Sequence, residues 1–104
     1  MHQLSATPAV SCVHRSNNER SQRLAPALSL SMRCECECQR TECGSTFQIA
    51  MGDYETVRSD GHLFAVAPGH ESREETVVGR QPAYVVIEKS GEPGRRAVLL
   101  DPRA

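Results

Sequence analysis

The sequence predicts a small α+β domain stapled by a metal site: one small sheet with one short helix, in the order β-α-β-β-β, behind a flexible N-terminal tail. Three observations lead there. Four cysteines fall within the ten residues 34–43. Short apolar stretches with strand character follow at 46–51, 62–67, 75–79 and 83–89. The chain is also thin in core material: 104 residues, 38% hydrophobic, with no Trp, two Phe and two Tyr. A core that small needs a staple.

Taken in order, residues 1–13 are small, polar and aperiodic and read as a disordered tail. Residues 14–24 are polar with some helix potential and only Val13 and Leu24 as apolar anchors, so a short surface helix is the most they support. Residues 25–33 read as a connector. This divides the chain into a tail and linker over 1–32 and a metal-binding domain over 33–104. Within the domain, Phe47, Ile49 and Met51 alternate onto one face of a strand. A short helix over 53–59 follows, with Asp53 near its positive end and Tyr54 and Val57 turned to the sheet. Asp60-Gly61 stops it. Residues 62–67 form the next strand, and Pro68-Gly69 turns the chain to present His70. Strands over 75–79 and 83–89 form a hairpin across Arg80-Gln81-Pro82, residues 91–94 end it, and residues 97–100 are assigned a last short strand.

The cysteine cluster carries the chemistry. Zinc takes four soft or borderline ligands in a tetrahedron, and thiolate and imidazole supply them. Cys36 and Cys38 are one residue apart, so in extended chain both thiols share a face and a local bend must bring both to one ion. Four residues then let the chain loop back so that Cys43 closes the site, with Gly44 permitting a tight exit. Spacing leaves two candidates for the fourth ligand. His70 sits on a turn that can aim an imidazole; Cys34 shares the alternation of Cys36 and could complete a four-cysteine site. His62, at a strand start, looks solvated. Cys12 reads as a bystander, and His2 and His14 carry little weight. Glu35 and Glu37 have two readings, carboxylates that support or act at the site, or the solvent-facing side of the strand, and period-two alternation favours the second.

These residues resemble a group of small uncharacterised bacterial proteins. The shared features are Cys36-Glu37-Cys38-x4-Cys43, an apolar strand, Asp53-Tyr54-Glu55-x-Val57-Arg58, then Phe64-Ala65-Val66-Ala67-Pro68-Gly69-His70-Glu71, and an ending with Val77-Val78 and Tyr84-Val85-Val86-Ile87-Glu88-Lys89. The likeness spans about residues 33–90 and implies Cys36, Cys38, Cys43 and His70 as the ligand set; it brings no activity with it. Two departures stand out. Gln39 replaces a usual Gly, and Ala50 replaces a usual Thr, which removes a side-chain acceptor at the helix start. A weaker likeness links Cys36, Cys38 and Thr41 to iron-sulfur domains that hold a two-iron cluster with three Cys and one His, but Phe47 stands where their His would be.

A net charge of −1, with basic residues scattered, argues against general nucleic-acid affinity. No apolar run approaches the roughly 20 residues that span a bilayer, and Pro26 interrupts the one mildly apolar stretch, so neither membrane insertion nor a secretory leader is expected. Clustered cysteines then fit a reducing, cytoplasmic setting better than disulfides. Three functions follow from the residues. The leading one is a binding or regulatory module with one structural zinc per chain and a protein partner. A thiol-zinc redox switch using Cys34 as resolving thiol is the second. An enzyme is the third and least supported: Glu71 is the best carboxylate near the site, and no nucleophile triad, phosphate loop or dinucleotide fingerprint is present.

Overall fold

The structure, a computed structural model, describes residues 10–103. It is an α+β fold in which eight elements build two small sheets and three helices. Strands β1 (Ser31–Glu35) and β2 (Thr46–Ala50) form an antiparallel pair whose alternation faces Met32 and Cys34 inward opposite Ile49 and Phe47. A second sheet has β3 (Leu63–Val66), β5 (Val85–Glu88) and β4 (Thr76–Arg80) in that spatial order, all antiparallel. Here Phe64 lies opposite Ile87 and Val66 opposite Val85, all buried. An irregularity between Val77 and Gly79 interrupts the β4 register. The ring of Phe47 from the first sheet stacks on Tyr84 beside the second, with centroids 5.4 Å apart, which joins both sheets to one core. Thus the single sheet expected from the sequence is two, because β1 and β2 pair only with each other.

Helix α2 (Met51–Arg58) starts directly after β2 and buries Tyr54 and Val57, as their spacing requires, and also Arg58. Its N-cap position is Ala50, and no side chain caps it. Helix α3 (Gly91–Leu99) occupies the segment assigned to a turn and a last strand. Both flanks of β5 are already taken by β3 and β4, so residues 97–100 have no strand to join there. They form helix instead, burying Ala97 and leaving Leu99 exposed. Pro93 sits in the first helical turn, where a missing N–H costs nothing. Gly94 is where α3 presses closest: a Cβ there would lie 2.5 Å from the Lys89 carbonyl oxygen.

The largest departure is α1 (Val10–Leu24). The tail expected over 1–13 falls partly on residues 1–9, outside the described residues, and partly on 10–13, which are the first turn of this helix. Its buried face is polar: Ser11, His14, Arg15, Asn18 and Glu19, with Cys12 beside them. Arg15 is fully buried. Its guanidinium donates to the carbonyls of Gly61 (2.8 Å) and Ala97 (2.7 Å) and lies 4.6 Å from the centre of the Phe64 ring. A cation at Ala97 meets the negative end of α3. Glu19 accepts from Tyr54 (2.5 Å), Arg58 (3.3 Å) and Arg103 (2.8 Å), and Arg58 also pairs with Asp101. Buried charge of this kind is tolerated because each group meets an opposite charge or a hydrogen-bond partner. Among the described residues, no helix is long and apolar enough to cross a membrane.

Candidate metal centre

The four candidate ligands arrive on two connections, β1 to β2 and β3 to β4. Cys36 and Cys38 leave the end of β1, Cys43 comes at the close of the loop that leads to β2, and His70 follows β3 across the Pro68-Gly69 turn. Gly69 has φ +87°, a backbone state that Gly adopts without strain, and the His70 N–H bonds back to Ala67 O at 3.0 Å. The Cys43 N–H closes its own turn onto Arg40 O at 3.2 Å. Gly44 plays no such part: its φ is not positive, and a Cβ there would touch nothing within 4 Å.

These turns bring Cys36, Cys38, Cys43 and His70 together, with one donor atom of each within 4.8 Å of all the others. The imidazole Nδ1 lies 3.5 Å from Cys36 Sγ and 3.4 Å from Cys43 Sγ. Three thiols and an imidazole with converging donor atoms are the donor set and the spacing that one metal ion takes, so the group can hold a metal. Cys34 is not in it. It lies fully buried on β1, its Sγ 3.7 Å from the carbonyl of Glu35. His62 stands apart too, partly exposed and paired with Asp60 at 2.9 Å.

Electrostatics fit the same picture. Burial pushes the Cys36 thiol up to about 12, against the pull of backbone hydrogen bonds from Ala67 and Cys38. At Cys43 desolvation also pushes upward, but hydrogen bonds from the Ser45 backbone, from Cys38, from the Ser45 hydroxyl and from His70 outweigh it and bring the thiol down to about 6. A thiol as buried as Cys36 ionises when a cation sits beside it, which is what a thiolate-bound metal provides. The Ala67 N–H points at Cys36 Sγ across 3.1 Å, an amide oriented to steady a thiolate.

The segment between the ligands differs from its sequence reading. Glu37 is not on a solvent-facing side; it is fully buried, because the chain leaves β1 and bends against the outer edge of β3. Its N–H donates to Ala65 O at 2.9 Å, and one carboxylate oxygen accepts from Ala65 N–H, also at 2.9 Å. The other accepts from Asn18 Nδ2 at 2.8 Å. Burial pushes the Glu37 carboxyl up to about 7, opposed by the hydrogen bonds from Asn18 and Ala65. Helix α1 holds the rest of the loop. Asn18 accepts from Glu35 N–H (2.7 Å) and donates to Glu35 O (2.8 Å), while His14 pairs with the Glu35 carboxylate and places Nε2 3.1 Å from Arg40 O. His14 and Asn18 are therefore supporting residues that the sequence did not single out, and Glu37 takes the supporting reading rather than the favoured solvent-facing one. The available signal was the helical spacing of 11, 14, 15, 18 and 19, which is invisible to a search for apolar periodicity.

Comparison with known protein families, with curated proteins and with solved structures finds no match to this chain.

Proposed function

We propose that this chain is a small binding or regulatory module whose Cys36, Cys38, Cys43 and His70 hold one structural zinc ion, and that it acts through a protein partner rather than by catalysis. The observation that carries the reading is the ligand spacing. A zinc ion with Zn–S bonds of about 2.3 Å and a Zn–N bond of about 2.05 Å has sulfur-to-nitrogen edges of about 3.6 Å in a tetrahedron. Two of the three such edges, from Cys36 and Cys43 to Nδ1, are 3.5 and 3.4 Å. A two-iron cluster spreads its four ligands over two metal atoms, a wider arrangement than donor atoms that all lie within 4.8 Å of one another. Four protein ligands fill the zinc shell and leave no position for an activated water, which favours a staple over a catalytic centre.

The staple has work to do here. A two-stranded sheet such as β1–β2 is marginal alone, and the site ties the β1–β2 loop to the end of β3. Structural zinc contributes about 10–16 kcal/mol in small peptides near neutral pH, comparable to the whole net stability of an ordinary domain. Support for a partner comes from the exposed leucines of the connector before β1, where Leu28 and Leu30 are 92% and 87% exposed, with Leu24 beside them in sequence. The test is elemental analysis of the purified chain with a visible spectrum, followed by Cys38→Ser and Cys12→Ser variants. One zinc per chain, no colour and loss of the cooperative thermal transition only in Cys38→Ser are expected. Iron with a visible chromophore, or equal melting of both variants and the parent, would overturn the reading.

A further inference from the structure

The three ligand sulfurs do not face the same surroundings. Cys36 and Cys38 are 0% and 1% exposed, whereas Cys43 is partly exposed and lines an open surface depression with Arg40, Thr41 and Glu42. The core sits behind the first two and solvent reaches the third. Cys36 is further restrained, since its sulfur takes the Ala67 N–H at 3.1 Å and so is clamped to the residue after β3. Cys38 is separated from Cys43 by a loop of four residues, Gln39 to Glu42, long enough to close a disulfide ring, while only Glu37 separates it from Cys36. All of these sulfurs already lie within 4.8 Å of one another.

We propose that Cys43 is a modification site, the point at which peroxides attack the metal centre, and that Cys38 is the thiol that closes a disulfide onto it and releases the ion. The proposal rests on the metal reading above and adds its regulation. In the first step the Cys43 sulfur attacks one peroxide oxygen: an S–O bond forms, the O–O bond breaks, and hydroxide leaves (or alkoxide, from an alkyl hydroperoxide). In the second, the Cys38 thiolate attacks the Cys43 sulfenic sulfur: the S–S bond forms, the S–O bond breaks, and a second hydroxide leaves and takes up a proton. The two cysteines lose two electrons and the peroxide gains them. With two of four ligands removed, the ion leaves. Cys34, the extra thiol that the sequence offered as resolving partner, is fully buried outside the ligand group and takes no part.

The experiment uses the full chain loaded with zinc, its zinc content measured first. Hydrogen peroxide is added, released zinc is followed with a chromophoric chelator, and aliquots are blocked with N-ethylmaleimide and mapped by peptide mass spectrometry. Expected are one zinc released per Cys38–Cys43 disulfide formed, sulfenic acid at Cys43 ahead of any other thiol, and release rates within twofold of the parent in Cys34→Ala and Cys12→Ala. A disulfide through Cys34 or Cys36, a fivefold slower release in Cys34→Ala, or zinc retained at a large excess of peroxide would overturn the proposal. Zinc well below one per chain before oxidant is added sinks the metal reading instead. The same mapping then still decides whether Cys43 is the first thiol to react.

Discussion

Asn18 is the side chain on which the metal loop most depends without being a ligand, and replacing it with Ala gives the sharpest check on this structure. Its amide is 1% exposed and makes three hydrogen bonds: it accepts from Glu35 N–H at 2.7 Å, and it donates to Glu35 O and to Glu37 Oε2, each at 2.8 Å. In Asn18→Ala all three partners lose a bond. An unsatisfied buried group costs about 1–3 kcal/mol, more when charged. Glu35 is half-buried, so water can reach its backbone and its share lies at the low end, about 1 kcal/mol for the pair. Glu37 is fully buried with nothing to replace the amide, so its share is about 2–3 kcal/mol. The sum is about 3–4 kcal/mol. The neighbouring Asn17 serves as control, because it makes one exposed bond to the Glu35 carboxylate at 3.1 Å, and Asn17→Ala should cost less than about 0.5 kcal/mol. Urea denaturation of the variants, prepared with zinc to test the proposed site, reads both numbers. Competition with a chelator of known affinity reads a second consequence, a fall in zinc affinity of about 10–100-fold in Asn18→Ala, since groups that orient ligands carry effects of that size. Asn18→Ala within about 1 kcal/mol of the parent, or indistinguishable from Asn17→Ala, would refute the picture of α1 as the support of the metal loop.

Two glycines in helices should respond with opposite signs. Gly94→Ala puts a Cβ 2.5 Å from Lys89 O and 3.1 Å from the His62 ring, against backbone that cannot easily yield, so about 1–3 kcal/mol of overpacking outweighs the helix-propensity gain and stability falls. Gly52→Ala meets nothing within 4 Å and should stabilise by about 0.5–1 kcal/mol; thermal melts of both check the pair, and a stabilised Gly94→Ala would contradict the packing of α3. His14 should titrate above its ordinary value. Burial pushes it down, but the Glu35 carboxylate and the Arg40 carbonyl outweigh burial and raise it above 6.5. Because the folded-state value is the higher one, the His14–Glu35 contribution is fully present below about pH 6.5 and is lost as pH rises through the folded value. Chemical-shift titration of the imidazole checks this, and a value at or below 6.5 would remove His14 from the support of the loop.

The convergence of Cys36, Cys38, Cys43 and His70 was partly legible because its chemistry is local: thiols crowd one segment and a Pro-Gly turn can aim an imidazole, although spacing alone left Cys34 as a rival to His70. Strands β2 to β5 were legible for a similar reason, since alternation in 46–50 and in the runs before and after Pro82 reports one wet and one dry face, whereas β1 (Ser31–Glu35) fell across the segment read as a connector and the start of the cysteine cluster. Helix α1 was not, because the rule that finds an amphipathic helix looks for an apolar stripe, and this one buries His14, Arg15, Asn18 and Glu19. Their partners, Glu37, Gly61, Tyr54, Arg58, Ala97 and Arg103, lie 19 to 84 residues away, and only the finished fold shows that those charges are answered. Glu37 was misplaced by the same limit. Period-two alternation assigns it to solvent only if the strand continues past Glu35, and β1 ends there.

That ending ties the Cys3His group to the polar interior. Where β1 stops, Glu37 takes both backbone groups of Ala65 that β5 does not use: the carbonyl through its N–H and the N–H through its carboxylate. The otherwise open edge of β3 is thus capped at Ala65 by the residue between Cys36 and Cys38, and an edge with unpaired groups is a liability in so small a sheet. Asn18 then meets Glu35 and Glu37 from above, so one face of α1 reads the backbone that carries Cys36 and Cys38. The amide cannot flip to serve a different partner at Glu37, because its oxygen is held by Glu35 N–H and its nitrogen by Glu35 O. Glu37 therefore faces two donors, Asn18 Nδ2 and Ala65 N–H, an arrangement that suits an ionised carboxylate accepting at both oxygens, while burial favours the neutral acid. Against the burial that raises this carboxyl, the guanidiniums of Arg58 and Arg15 add their pull toward the ionised form. Ligand thiols, buried glutamate and polar helix are in this sense one construction, in which each member is costly to bury alone and is stabilised by the others.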